Sequence, residues 1–480
     1  MKKFTVLLML ICAGNLYAQT NKTITISGSL PDSMAHAYSN KPEIWFYNYF
    51  LPPMAFKSNY VTIRPLIFKD GKFKVTFVPD GDFAFFKIDG IILTTPMMDM
   101  LLVRAGSNVV FHSTGNKTGY FTGKGASVLN YQLWLAAMMH EPVPRKYNST
   151  WDENYIGYHR TQSKKFFEIS ADTLQKHAEE WGQETYDLVK TYTKSCLNTE
   201  YLAILAPPSI LRIDSTYRRL VLSEVTMRLN TQFQKGYHNE ALLKYDFAYI
   251  LYMHTALTAF FRLTMNERNP PFAYRYDYIN NHFQGVLRDK LLTLEFLLDF
   301  HSPGIYDYLS KALITIKDTS SREILATEMV KIPGAKAYDF SFQDTNGRTL
   351  KLSDFKNKSV VIDLWFNGCE NCIVVAKLMR PIIEHYRDSD IVFLSVNVDN
   401  TKKKFTDGVK SGLYGDKAVR YGWVGDLGLF SPLLQYYNFT AFPQLLIVDK
   451  KGIIVSINPP YPINNKTTKE WDALLHTALK

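Results

Sequence analysis

Cysteine is scarce in this chain of 480 residues, with four in all, at positions 12, 196, 369 and 372. A small secreted scaffold stapled by disulfides would carry many more, so cross-linking is not what holds this protein together. Nor does any segment supply the ~20 uninterrupted apolar residues that a permanent spanning helix needs. Dense basic tracts are missing too. The net charge is +10, but the lysines and arginines are scattered, "KKK" at 402–404 being the densest run. That pattern reads as a solvated basic surface and excludes a nucleic-acid interface. His177 and His254 lack paired helical spacing to other ligands, and no two further ligands lie at short spacing from Cys369 and Cys372, so no metal and no cofactor is implied. What is present is ordinary for a globular protein, 46% hydrophobic and 21% charged, which excludes wholesale disorder. The length calls for two or three domains.

The first residues have their own texture. Lys2 and Lys3 form a short positive region, Phe4 to Ala13 an apolar core, and Leu16-Tyr17-Ala18 a cleavage site. The pattern predicts an export signal over residues 1–18 and a mature protein in the periplasm or cell envelope. Cys12 offers a lipoprotein alternative, but Ile11 precedes it where lipoprotein processing wants a small residue. Once this segment is removed, three cysteines remain. Cys196 lies in "VKTYTKSCLNTEYL" and reads as a small buried hydrophobe on a helix. Cys369 and Cys372 are a close pair, and such spacing points to exchange chemistry.

Three regions follow the signal. Residues 21–123 alternate between apolar and polar, as in "TITISG", "FKVTFV" and "NVVFHS", with Asp70-Gly71 as a hairpin turn. They predict an antiparallel β-sandwich. At "GASVLNYQLWLAAMMH" the period changes from two to about 3.6, and residues 124–330 read as a helical domain broken at Pro207-Pro208 and Pro270-Pro271. Residues 332–480 read as an α/β domain. It opens with a hairpin at Asn346-Gly347. The buried strand "SVVIDLWF", the CENC pair with its long helix and the strand "IVFLSVNVD" follow. A loop with short helices, a hairpin at Lys451-Gly452 and a last helix complete it.

A C-x-x-C between a buried strand and a helix reads as a thioredoxin-like redox motif. Cys369 would sit at the helix N-terminus, where unpaired N–H groups and the dipole stabilise a thiolate. Cys372 would lie one turn inside, shielded yet within reach. Cys369 should then attack a disulfide and Cys372 resolve the mixed intermediate.

Residues from about 332 to 480 resemble the TlpA/ResA-like branch of the thioredoxin superfamily. The resemblance rests on "AKAYDFSFQDTNG", "LSDFKNK", "VVIDLWFNGCENC" and "YNFTAFPQLLIVDKKGIIV". It implies that Pro443 is a cis-proline facing the pair, that Trp365 keeps the motif's tryptophan, and that Asp363 is a buried acid taking the proton of Cys372. It also implies disulfide-containing substrate proteins and a membrane-linked thiol donor. Some positions depart from the family. Gly368 and Asn371 stand where Trp and Pro are usual, and Val374 and Val375 replace an acidic residue. Glu370 puts a negative charge beside the thiolate and should push the couple towards a reductant.

Other readings compete. A peroxiredoxin-like thiol peroxidase needs Thr or Ser at position 366, which is Phe. A copper-delivery protein needs a wider cysteine pair and a histidine near the last strands. A binding or scaffold protein with a vestigial pair is the non-enzymatic alternative, since the first two regions are large. The reading adopted is an exported thiol:disulfide oxidoreductase that reduces or isomerises disulfides of envelope proteins.

Overall fold

Ile24 and Ile26 are fully buried while Thr25 and Ser27 between them are half-buried, the period-two signature of a strand with one face on a core. The computed structural model describes residues 22–29, 43–47, 61–66, 69, 71–88, 100–115, 118–140, 151–235, 240–299, 304–415, 417–437, 439 and 441–480. The signal read over residues 1–18, Cys12 and Asp70 lie outside the described residues.

The described residues group into two compact units, one ending at Leu298 and the other running from Asp299 to Lys480. The first begins with eight strands: β1 (Ile24–Ser29), β2 (Glu43–Tyr47), β3 (Val61–Pro65), β4 (Lys72–Phe77), β5 (Phe83–Ile88), β6 (Leu101–Arg104), β7 (Asn108–Gly115) and β8 (Thr118–Lys124). They form two four-stranded sheets, ordered β4-β1-β7-β8 and β3-β2-β5-β6. Ile26, Val109 and Phe111 of one sheet share a core with Phe46, Phe86 and Val103 of the other. Each such side chain contributes roughly 1.5–3 kcal/mol by leaving water. Phe46 stacks on Phe77 across the gap, centroids 4.5 Å apart.

The expected antiparallel arrangement needs one correction, because β1 runs parallel to β7. Gly28 is required at their crossing, since a Cβ there would come within 2.8 Å of the Phe111 carbonyl. Lys69 and Lys72 are joined by mutual backbone hydrogen bonds, an isolated bridge outside the named strands. β3 belongs to one sheet and β4 to the other, so the chain changes sheets there.

Seven longer helices complete the unit: α1 (Ala126–Met139), α2 (Glu153–Gln175), α3 (Gln183–Leu205), α4 (Ser215–Lys235), α5 (Phe247–Met265), α6 (Phe272–His282) and α7 (Gly285–Leu298). Gln132 of α1 exchanges two hydrogen bonds with the Leu102 backbone, both at 2.8 Å, and ties the helix to β6. Cys196 is buried on α3, 1% exposed. His254 has a partner in buried Glu295 at 3.2 Å, which Arg275 also holds at 2.9 Å. His177 pairs with Glu180 at 3.0 Å.

The second unit opens with α8 (Ile305–Thr315) and α9 (Thr319–Met329). Its seven strands are β9 (Ser341–Asp344), β10 (Thr349–Lys351), β11 (Ser359–Trp365), β12 (Ile391–Asn397), β13 (Arg420–Trp423), β14 (Gln444–Val448) and β15 (Ile454–Ile457). They make one mixed sheet in the order β10-β9-β13-β12-β11-β14-β15. β11 is central, parallel to β12 and antiparallel to β14. Four helices belong to this sheet: α10 (Glu370–His385), α11 (Lys402–Ser411), α12 (Pro432–Tyr437) and α13 (Asn465–Leu479). The strand β13 falls where the sequence reads as loop and short helices. "RYGW" is four residues long and interrupted by Gly422, which lies against the Phe342 ring, so it shows no alternation to read. Among the described residues no helix is long and apolar enough to cross a membrane.

Candidate active site

Alternation along β11 sorts its side chains between the two faces of the sheet. Ile362 and Leu364 join the core built with α12, whereas Val361 packs with Val375, Met379 and Trp471. Asp363 and Trp365 share the face of Val361, the side on which α10 packs. Parallel β11 and β12 both end at this pole.

The chain turns from β11 into α10 through Phe366, Asn367 and Gly368. The Asn367 N–H donates to Asp399 Oδ2 at 2.7 Å, and the Gly368 N–H donates to the Tyr414 hydroxyl at 2.6 Å. Gly368 has φ of 98°, in the left-handed region that favours glycine. A backbone reason therefore exists for glycine where the related motif has tryptophan. Asp399 is itself held by the Asn397 amide at 3.0 Å and by Lys404 at 3.5 Å.

Cys369 caps α10 and is joined to Cys372 by a disulfide, with Cα atoms 5.3 Å apart. The Cys372 N–H donates to Cys369 Sγ at 3.1 Å. Cys369 is 5% exposed and Cys372 1%, so the first sulfur is the more accessible. Glu370 and Asn371 are exposed on the first turn of the helix. Trp365 is fully buried beneath the pair and lies flat on Tyr414, ring centroids 4.1 Å apart.

Pro443 follows a cis peptide bond from Phe442. The Phe442 carbonyl oxygen is 4.0 Å from Cys369 Sγ, and the Phe442 ring meets Phe366 edge-on with centroids 6.0 Å apart. The Tyr461 hydroxyl donates to the Pro443 carbonyl at 3.2 Å. Phe366, Val374, Tyr461 and Ile463 are apolar or aromatic side chains left exposed in this unit.

Asp363 lines a small cavity of about 20 Å³ with Ala376 and Met379 of α10, Ser395 and Tyr414. That is room for one water. Some of the Asp363 surface remains accessible, but its Oδ1 is sealed and makes no hydrogen bond within the described residues. The sealed oxygen is what sets its chemistry. Loss of hydration raises its pKa to about 7. Tyr461 has its own acidity weakened by burial and then by the Asp363 charge, which places the phenol within that carboxylate's field.

The structure thus gathers Cys369, Cys372, Trp365 and Pro443 at one pole, with Asp363 on the face that α10 covers, one turn beyond Cys372. Tyr414, Asp399 and Tyr461 are the neighbours that the sequence reading missed. Asp399 carried a signal, a polar "VNVDN" closing an apolar parallel strand. Tyr414 and Tyr461 carried none, because long loops bring them in.

Comparison with known proteins bears on this unit. Residues 333–457 match the sequence model of the AhpC/TSA family. Thiol-disulfide oxidoreductase ResA of Bacillus subtilis is 28% identical over 124 residues, covering 26% of this chain and 65% of ResA. Thioredoxin-like protein YneN of the same organism is 28% identical over 149 residues, covering 30% of this chain and 78% of YneN. Among solved structures, the thioredoxin domain of a thiol-disulfide oxidoreductase from Bacteroides vulgatus is 21% identical, covering 30% of this chain and 96% of that one, with a TM-score of 0.26. The matched residues are those in which the TlpA/ResA-like resemblance was read.

Proposed function

Taking residues 333–457 as an AhpC/TSA-family domain related to ResA, we propose that this protein is a thiol:disulfide oxidoreductase whose reacting groups are Cys369 and Cys372. One observation carries the reading: the two cysteines are bonded to each other at the start of α10, with the more exposed sulfur accepting the N–H of the other residue. That N–H and the helix terminus favour negative charge on Cys369 once the pair is reduced.

The reaction begins with the reduced pair. The Cys369 thiolate attacks one sulfur of a substrate disulfide. The substrate S–S bond breaks, a Cys369–substrate disulfide forms, and the departing substrate sulfur takes a proton from water. Cys372 then passes its proton towards Asp363, and its sulfur attacks Cys369 Sγ. The mixed disulfide breaks, the Cys369–Cys372 bond forms, and the second substrate sulfur leaves as a thiolate that takes a proton from water. Two electrons pass from the pair to the substrate. Asp363, neutral or charged near pH 7, is suited to hold that proton. Trp365 and Asn371 support the pair, Trp365 from below it through the Tyr414 stack. Pro443 presents the neighbouring backbone to an extended substrate segment.

Glu370 opposes charge on Cys369, so the couple works as a reductant or isomerase and not as a primary oxidant. We place it in the cell envelope, exported by the leader over residues 1–18. Its substrates are disulfide-containing envelope proteins, and a membrane-linked thiol donor returns the two electrons. The two N-terminal sheets, which we read as a β-sandwich, and the helices of residues 124–330 select the partner. The peroxidase alternative is disfavoured because Phe366 packs on Phe442 where a hydroxyl side chain would be needed.

The test is trapping. Reduced Cys372→Ser protein mixed with a disulfide-linked peptide should accumulate a stable adduct on Cys369, seen by mass spectrometry. An adduct on Cys196, or none under conditions where the wild type turns over, would refute the reading.

A further inference from the structure

We propose that the second unit carries a separate binding site for a small amphipathic anion, a carboxylate or phosphate on an apolar body, at the end of the sheet opposite the cysteines. β11 enters beside this site at Ser359 and leaves at Trp365 below the pair. At ~3.3 Å per residue, the two sites lie roughly 20 Å apart.

The site is a cavity of about 340 Å³, within the ~300–1,000 Å³ typical of small-molecule pockets. Its lining includes Leu352, Phe355, Val360 and Val448, each buried in the domain core. These give it an apolar floor. Five lysines belong to the same lining, Lys336, Lys356, Lys358, Lys450 and Lys451, and all are exposed.

Two aspartates share the lining, Asp339 and Asp449, and both keep their charge while bonded to neutral groups, so five lysines against two carboxylates leave an excess of three positive charges. Asp339 accepts from the Ser353 N–H at 2.8 Å and its hydroxyl at 3.0 Å. Asp449 accepts from the N–H groups of Lys451 at 2.9 Å and Ile453 at 2.8 Å. Lys358 reaches Asp390 at 3.8 Å, and Lys450 donates to the Leu479 carbonyl at 3.3 Å. Lys336, Lys356 and Lys451 have no ion-pair partner among the described residues. Like charges gathered around a concave, partly apolar wall raise the local potential, and an anion relieves it. The floor selects an anion with hydrocarbon or aryl bulk over a bare inorganic one. A free metabolite and a lipid headgroup share this chemistry.

Calorimetric titration of the full chain with monomeric decanoate tests the proposal, with decanol and inorganic phosphate as comparison ligands. Decanoate should saturate one site, and decanol and phosphate should bind far more weakly. K336Q/K356Q/K451Q should weaken decanoate by about 10-fold. K164Q/K165Q/K176Q, which removes the same charge from α2 and the residue that caps its C-terminus, should not. Equal binding of decanol, equal binding of phosphate, or equal losses in both triple variants would overturn the site. A second arm fixes the source. Co-sedimentation with phosphatidylglycerol vesicles that decanoate reverses supports the site and makes the ligand a lipid headgroup. Decanoate binding without sedimentation supports it as a site for a free ligand. Disulfide exchange at Cys369 should be unchanged in K336Q/K356Q/K451Q, so this inference and the redox assignment fail separately.

Discussion

The sulfur of Cys369 lies 4.0 Å from the carbonyl oxygen of Phe442, a residue 73 positions further along the chain. This approach joins the start of α10 to the start of β14. It also puts the Phe442-Pro443 backbone beside the Cys369 sulfur, with Phe366 and Phe442 forming an aromatic edge there. Under the proposed function, a substrate strand beside this segment would meet Cys369 before Cys372, which is the more buried of the two.

The third described cysteine should be a bystander. Cys196 is 1% exposed on α3 and belongs to the other compact unit. Cys196→Ser should therefore retain exchange activity in a peptide-disulfide reduction assay, while Cys369→Ser loses it. A redox-silent Cys196→Ser variant contradicts the assignment of the pair.

Asp363 should make the protein less stable as pH rises. Its folded pKa of about 7 stands above the ordinary 3.8 because burial penalises the charge. The folded state therefore holds this proton more tightly than the unfolded chain does. Its penalty is absent below about pH 4, grows between the two values and levels off above about pH 7, where it approaches about 4 kcal/mol. Asp363→Asn removes that pH dependence. Urea denaturation of the oxidised forms from pH 4 to 8 should show the variant gaining on the wild type as pH rises. Parallel curves would mean the carboxyl is ionised throughout. The same variant should slow release of the mixed disulfide, since the Cys372 proton loses its acceptor.

Tyr461 acts as a strut for the proline segment. Tyr461→Phe removes its bond to the Pro443 carbonyl and should cost about 0.5–1.5 kcal/mol in denaturant unfolding. Exchange should slow through a weaker fit of substrate, raising KM more than it lowers kcat. A variant with unchanged stability and KM would show that the bond is not maintained in solution.

Gly408 on α11 is where the tryptophan beneath the pair can be tested from outside. A Cβ at this position would lie 2.5 Å from Trp365 Cζ3, against a ring that is fully buried and stacked on Tyr414. Alanine improves helix propensity by about 1 kcal/mol, but overpacking a filled core typically costs ~1–3 kcal/mol, and a buried indole held on both sides cannot yield. Gly408→Ala should lower the melting temperature and shift Trp365 fluorescence. A stabilised variant would show that the ring has room.

Local patterns made part of this architecture legible. The continuous apolar run of β11, the two-residue gap between cysteines and the turn glycines 347 and 452 are chemistry that neighbouring residues enforce on each other. They located the pair, whereas Asp363 and Pro443 came only from the resemblance to the TlpA/ResA-like branch. What could not be read depends on distant partners. The parallel β1–β7 pairing is set by how two sheets close on one core, and nothing in "TITISG" states it. Tyr414 reaches the Gly368 N–H across 46 residues and Asp399 reaches the Asn367 N–H across 32. Neither spacing is a motif. Asp399 follows the carboxyl end of β12, and Tyr414 lies in the segment between α11 and β13, anchored by the Ser395 hydroxyl on its carbonyl.

The central claim is that Cys369 and Cys372 form a reversible two-electron couple poised as a reductant. Equilibrating the protein in graded thiol–disulfide buffers and measuring the oxidised fraction by alkylation gel shift tests it directly. We predict one reversible transition near the thioredoxin value of about −270 mV, absent in Cys369→Ser. A pair that stays oxidised or stays reduced across the whole series would contradict the account.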